Sequence, residues 1–173
     1  MITFDFTFLH SYIQLSIAQQ KDIQSFIHHK TLSKDSVLVL DQEDLIIADS
    51  GILMKVHNDS EDVAHFIGPH ELAIYPNKDD PYKLQALEAS SIFYIRHHDV
   101  ITLLHRHSTL SAAYHKMLRV WGMRRMMRGD LLLLSRAEAK STFYKKFSTI
   151  APRIPYKYIA SYLNMTPSYF SQL

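Results

Sequence analysis

The sequence predicts an α+β chain in three parts: an N-terminal double-stranded β-helix, or jelly roll, with short helices ahead of it; one long helix; and a C-terminal helix-turn-helix. Three patterns carry that expectation. Between residues 36 and 96 short β-rich runs alternate with turn residues, and from Ala113 to Leu134 apolar side chains recur at spacings of 3 and 4. The last eighteen or so residues hold two short apolar-faced segments parted by Asn164, Met165, Thr166 and Pro167. The predicted boundaries are 1–107 for the roll with its helices, 108–134 for the long helix and 135–173 for the C-terminal domain.

Residues 5–30 are expected to form two short helices broken near Leu15 and Ser16, with Ser16 capping the second and Ile17, Ile23, Phe26 and Ile27 on its packing face. His28 and His29 would close it, where imidazoles suit the negative end of the helix dipole. Seven strands follow, at 37–40, 45–48, 52–56, 63–67, 72–75, 82–87 and 92–95. The acidic run 58–62 is expected to turn a hairpin, and 76–81, bounded by Pro76 and Pro81, to make a further turn.

Beyond Arg96 the pattern becomes helical. Ala113, Met117, Val120, Met127, Leu131 and Leu134 form one stripe, broadened by Tyr114, Trp121 and Met123 and interrupted by Arg124. Such a stripe fits a helix paired with its own copy as well as one buried in its own domain. Two-fold pairing is what reading two DNA half-sites requires, which makes Ala113, Met117, Val120, Trp121, Met127 and Leu131 the dimer candidates.

Ser135 and Glu138 have the spacing of a capping box, so a new helix starts there and runs to about Phe147. It should turn Phe143, Tyr144 and Phe147 inward and Lys140, Lys145 and Lys146 outward. Pro152 and Pro155 then end it. In the final segment Ile159, Leu163, Met165, Phe170 and Leu173 are the apolar positions, Ala160 is small where crossing helices approach, and Thr166 and Pro167 start the last helix. That helix is the candidate DNA reader; a helical hairpin closing a core is the alternative.

Composition narrows the function classes. The chain has 173 residues, 47% hydrophobic and 21% charged, which suits a folded core. Its start lacks signal-peptide character and no apolar run spans a bilayer, so a cytoplasmic location without membrane partners is expected. Without cysteine there is no disulfide, thiolate metal site or cysteine nucleophile. The formal net charge of +2 conceals a division: residues 1–114 carry 8 basic and 15 acidic side chains, a net −7, whereas residues 115–173 carry 11 basic and 2 acidic, a net +9. A basic module beside an acidic one is what a phosphate-binding part attached to a regulatory part would show.

The order roll, long helix, capped helix, helix-turn-helix resembles the Crp/Fnr family of transcription regulators over nearly the whole chain. The likeness is most specific at 154–167, from Ile154-Pro155-Tyr156-Lys157 to Asn164-Met165-Thr166-Pro167, which resembles the reader of Bacteroidetes-type members. Gly51 is similar to the glycine between paired strands of that family's roll. The resemblance implies a cyclic-nucleotide-binding-like domain, a homodimer on duplex promoter DNA, and a small molecule in each roll that shifts active against inactive forms.

Two departures qualify it. Members that bind cyclic AMP carry a Gly-Glu pair and a later Arg, then Ser or Thr and Ala; here Pro69 and His70 separate Gly68 from Glu71, and the later stretch Pro81-Tyr82-Lys83-Leu84 has no arginine. Cyclic AMP is therefore disfavoured, and an unidentified effector is expected near Glu71, Leu72, Tyr82 and Lys83. The reader, too, lacks the usual Glu and Arg. Its candidates are Ser168, Tyr169 and Gln172, supported by Thr166, Lys157 and Arg153. His97, His98, His105 and His107 do not form a metal-ligand set, and no catalytic motif appears, so no cofactor and no enzyme activity are expected. The remaining alternative is an interaction module that has lost specific DNA binding.

Overall fold

The computed structural model describes residues 4–173 and contains two four-stranded antiparallel sheets. The strands are β1 (His28–Leu32), β2 (Val37–Leu38), β3 (Leu45–Ser50), β4 (Leu53–His57), β5 (Val63–Ile67), β6 (Leu72–Ile74), β7 (Tyr82–Ala86) and β8 (Ser90–Ile95). One sheet has the order β1-β8-β3-β6 and the other β2-β7-β4-β5, so the chain changes sheet at every connection except the β4–β5 hairpin over 58–62. This winding makes a jelly roll.

Strand alternation gives each sheet two buried faces. The inner faces meet through Leu32, Leu38, Ile46, Ala48, Leu53, Ile67, Ala73, Leu84, Ala86 and Ile92. Leu45, Ile47, Phe93 and Ile95 on the outer face of the first sheet are covered by α1 (Ile17–Phe26), α2 (His97–Arg106) and the first half of α3 (Thr109–Leu132). Met54, Val56 and Phe66 on the outer face of the second sheet are covered by the C-terminal helices: α4 (Arg136–Lys146), α5 (Tyr156–Tyr162) and α6 (Pro167–Gln172).

Local chemistry sets several boundaries as expected. Ser16 accepts from Gln19 N at 3.2 Å while Gln19 accepts from Ser16 N at 2.9 Å, so α1 opens on a complete capping box. Ser135 and Glu138 do the same for α4. Other elements differ. The first predicted helix is a short 3-10 helix over Phe6–Ser11. His28 and His29 leave the helix altogether: Ile27 is extended, and the two histidines enter β1, opposite Tyr94 and Phe93 of β8. The pairing partner lies more than sixty residues away, which no local pattern reveals. Tyr144 is exposed because Phe143 and Phe147, four residues apart, define the buried stripe of α4.

Gly51 does not join paired strands, since β3 and β4 lie in different sheets. It turns the chain from one sheet to the other at φ +80°, and a Cβ there would lie 2.7 Å from both Ala89 O and Ser90 Cα.

Phe66, Phe143, Phe147 and Tyr162 form one aromatic cluster, with centroids 4.6 to 6.3 Å apart. Tyr162 is fully buried and its hydroxyl has no hydrogen-bond partner. Phe143→Ala should therefore lower unfolding free energy by about 3–5 kcal/mol in urea titrations. Tyr162→Phe should raise it by about 0.5–1.5 kcal/mol, because it removes an unpaired buried hydroxyl without changing shape. A loss on Tyr162→Phe would mean that the hydroxyl is bonded in solution.

Candidate nucleic-acid interface and roll cavity

The turn between α5 and α6 is built from backbone bonds. Leu163 N and Met165 N both donate to Ala160 O, at 3.1 and 2.9 Å, and Asn164 takes the left-handed conformation at φ 53°. Thr166 then accepts from Tyr169 N at 3.2 Å, and Pro167 occupies the first turn of α6. Ile159, Ala160, Leu163 and Phe170 are buried beneath the turn, whereas Leu173 is 43% exposed.

Of the sequence-predicted reading residues, Ser168, Tyr169 and Gln172 are exposed on α6 and Lys157 is exposed on α5. Thr166 serves as the cap. Arg153 is engaged with Glu88 of the roll at 2.5 Å, and Lys140 donates to Phe170 O at 2.9 Å across the end of α6. Lys145 and Lys146 remain exposed beside them.

The helix pair is anchored to the roll and to α3. Ser161 Oγ accepts from Val63 N of β5 at 3.0 Å. Arg128 Nε donates to Tyr162 O at 2.8 Å, and Arg136 Nη1 donates to Leu163 O at 3.1 Å. Both guanidinium groups thus satisfy carbonyls at the negative end of α5.

The four residues expected around an effector do not face one cavity. Glu71 accepts from Gly68 N at 3.2 Å and is ion-paired with Arg124; burial pushes its carboxyl pKa up, and Arg124 opposes that shift. Leu72 packs into the helix-covered side of the first sheet. Lys83 meets Glu61 at 3.4 Å. Tyr82 alone lines a cavity of about 240 Å³ between the second sheet and α3, with Lys55, His65, Arg125, Arg128 and Leu132.

Lys55 and His65 are cross-strand partners on β4 and β5. They share the inward parity of Leu53 and Ile67, a signal the sequence carried: a polar residue in the middle of the inner row of each strand. Lys55 bonds Asp80 at 2.8 Å and stands over the Tyr82 ring; desolvation lowers its ammonium pKa, while Asp80 acts to raise it. Burial, then the charges of Arg125, Arg124 and Lys55, push the His65 imidazole down to about 4.

On α3, Ala113, Met117 and Leu131 are buried in the chain's own core, and Val120, Trp121 and Met127 are half-buried. The exposed apolar side chains are Met123 and Met126, at 65% and 71%. Among the described residues no three His, Asp or Glu side chains could share a metal ion, and no helix is long and apolar enough to cross a membrane. His97 and His107 instead contact Glu43 and Asp22.

No family model and no curated sequence matches the chain. Solved structures do. FixK2 from Bradyrhizobium japonicum matches with a TM-score of 0.71 at 13% identity, over 84% of this chain and 81% of that one. A transcriptional regulator of the Crp/Fnr family from Eubacterium rectale gives 0.69 at 12%, over 91% and 81%. The α+β architecture of two antiparallel sheets and covering helices is consistent with a cyclic-nucleotide-binding fold. The c-di-GMP responsive regulator CLP from Xanthomonas campestris gives 0.66 at 10% identity, over 91% of this chain and 89% of that one. At such identities the shared property is the fold.

Within this fold the buried His65 makes stability depend on pH. Its pKa falls from 6.5 to about 4 on folding, so the unfolded chain binds the extra proton between these values and stability declines as pH drops through that window. The full shift corresponds to about 3 kcal/mol. Urea unfolding at pH 7 and pH 4.5 should show a loss of that order for the native chain and a clearly smaller one for His65→Leu. Equal losses would place the titrating group elsewhere.

Proposed function

We propose that the chain is a homodimeric DNA-binding transcription regulator of Crp/Fnr type, in its Bacteroidetes-type version, controlled by a small effector in the roll other than cyclic AMP. In this reading residues 1–107 sense, 108–134 dimerise and 135–173 bind promoter DNA in the cytoplasm. The observation that carries it is the exposed face of α6. Ser168, Tyr169 and Gln172 stand free of internal contacts to a base edge, on a helix pair whose other sides are buried. Lys145, Lys146 and Lys157 remain exposed for phosphates, while Arg124, Arg128, Arg136 and Arg153 are engaged within the chain. Against cyclic AMP stands Lys83, which is directed to Glu61 instead of a phosphate.

The dimer seam is assigned to the outward side of α3, where Met123 and Met126 are exposed and Val120, Trp121 and Met127 flank them. Met123→Glu combined with Met126→Glu should halve the mass found by light scattering and leave the circular dichroism spectrum unchanged. Met117→Glu should instead unfold the chain, because Met117 packs against Phe4, Leu9, Ile47 and Phe93. A double variant that stays dimeric would move the seam off this face.

Three free lysines per subunit neutralise about six phosphates across a dimer, which gives a log–log salt slope near about −5. Lys157→Ala should weaken binding to every sequence alike and make that slope shallower. Gln172→Ala should relax preference at one base position per half-site by about 1–3 kcal/mol and leave the slope unchanged. Fluorescent promoter DNA titrated at several salt concentrations measures both. With no arginine on α6, an absence of binding even at low salt would support the interaction-module reading instead.

A further inference from the structure

We propose that the cavity between the inner face of the second sheet and the C-terminal half of α3 binds a small dianion, a phosphate or paired-carboxylate compound, through Lys55, Arg125 and Arg128 beside His65. This deepens the effector reading above, on which it rests, by naming the ligand's chemical class. The cavity measures about 240 Å³ and lies between strands β4, β5 and β7 and the last two turns of α3. Pockets for drug-sized ligands run to roughly 300–1,000 Å³, so this one suits a small ion.

Its charge is only partly compensated. Lys55 is paired with Asp80, but Arg125 has no carboxylate partner within ion-pair distance among the described residues and lies over the Trp121 ring at 4.7 Å. Arg128 commits its Nε to Tyr162 O, which leaves the remaining donors of its guanidinium. An ammonium and two guanidinium groups thus line a space that no carboxylate lines, whereas Asp80 and Glu43 border the adjoining hollow that Lys55 and Arg125 also reach. Guanidinium forks match the paired oxygens of phosphate and carboxylate.

His65 supplies an independent sign. It is 8% exposed, lines the same cavity, and its Nδ1 has no hydrogen-bond partner. Buried polar atoms are nearly always paired, so an orphan beside an excess of positive charge marks a site whose polar complement lies outside the chain. Arg128 also links the cavity to the helix pair. The same guanidinium lines the cavity and holds the last carbonyl of α5, so an anion that reorients it acts directly on the reader's anchor.

The test is calorimetric titration of the full chain with inorganic phosphate and, separately, with succinate, followed by NMR of the histidine rings. One saturable site per chain for at least one probe is expected, with the His65 ring signals moving in step, and the better probe identifies the ligand's oxygen chemistry. Arg125→Gln should weaken that binding tenfold or more, whereas Lys34→Gln, exposed outside the cavity and outside the helix pair, should leave it unchanged. No saturable site for either probe, or binding undiminished in Arg125→Gln, would overturn the proposal. A parallel DNA titration with and without the anion separates the two readings: a bound anion without effect on DNA keeps the site and removes its regulatory role.

Discussion

The packing of Phe66 from β5 against Phe143 and Phe147 of α4 and Tyr162 of α5 is the contact on which the rest of the arrangement depends. The outer face of the second sheet is apolar and must be covered, and α5 and α6, at seven and six residues, are far too short to persist as isolated helices in water. Each cures the other's defect. Burial of these rings closes the sheet and fixes the helix pair in one orientation, so that a single core runs from β4 to the last helix. The unpaired hydroxyl of Tyr162 is the cost of using its ring there.

A second constraint acts through the arginines of α3 and its neighbour. By sequence they form part of a basic block, which suggests phosphate binding throughout. In the fold their roles diverge. Arg124 neutralises the half-buried Glu71, Arg128 and Arg136 finish α5, and Arg125 remains at a cavity already charged by Lys55. Net charge therefore overstates the surface available to DNA. Of that block, Arg119 on α3 and Lys145, Lys146 and Lys157 on α4 and α5 stay exposed without an anionic partner among the described residues.

The two edges of the roll meet the helices differently, and this determines which candidate residues lie together. Leu72 and Lys83 are close in sequence to Glu71 and Tyr82, yet β6 and β7 belong to opposite sheets and alternate residues face opposite ways. Hence Leu72 joins the α1–α3 core and Lys83 reaches Glu61. Lys55 and His65, separated by a hairpin, end side by side because strand pairing makes them opposite numbers.

The sequence by itself determined whatever depends on neighbours along the chain. The capping boxes at Ser16 and Ser135, the Thr166–Pro167 start of α6, the hairpin at 58–62 and most strands were legible because a cap, a turn or a period of two needs only residues a few positions apart. Tertiary structure alone decided the rest. That β1 is a strand follows from pairing with β8, and that Met117 and Leu131 face inward follows from what α3 lies against. The cavity at Lys55, His65 and Arg125 exists only where two sheets and a helix converge, since desolvation and like-charge crowding depend on distance in space, which spacing in sequence does not encode.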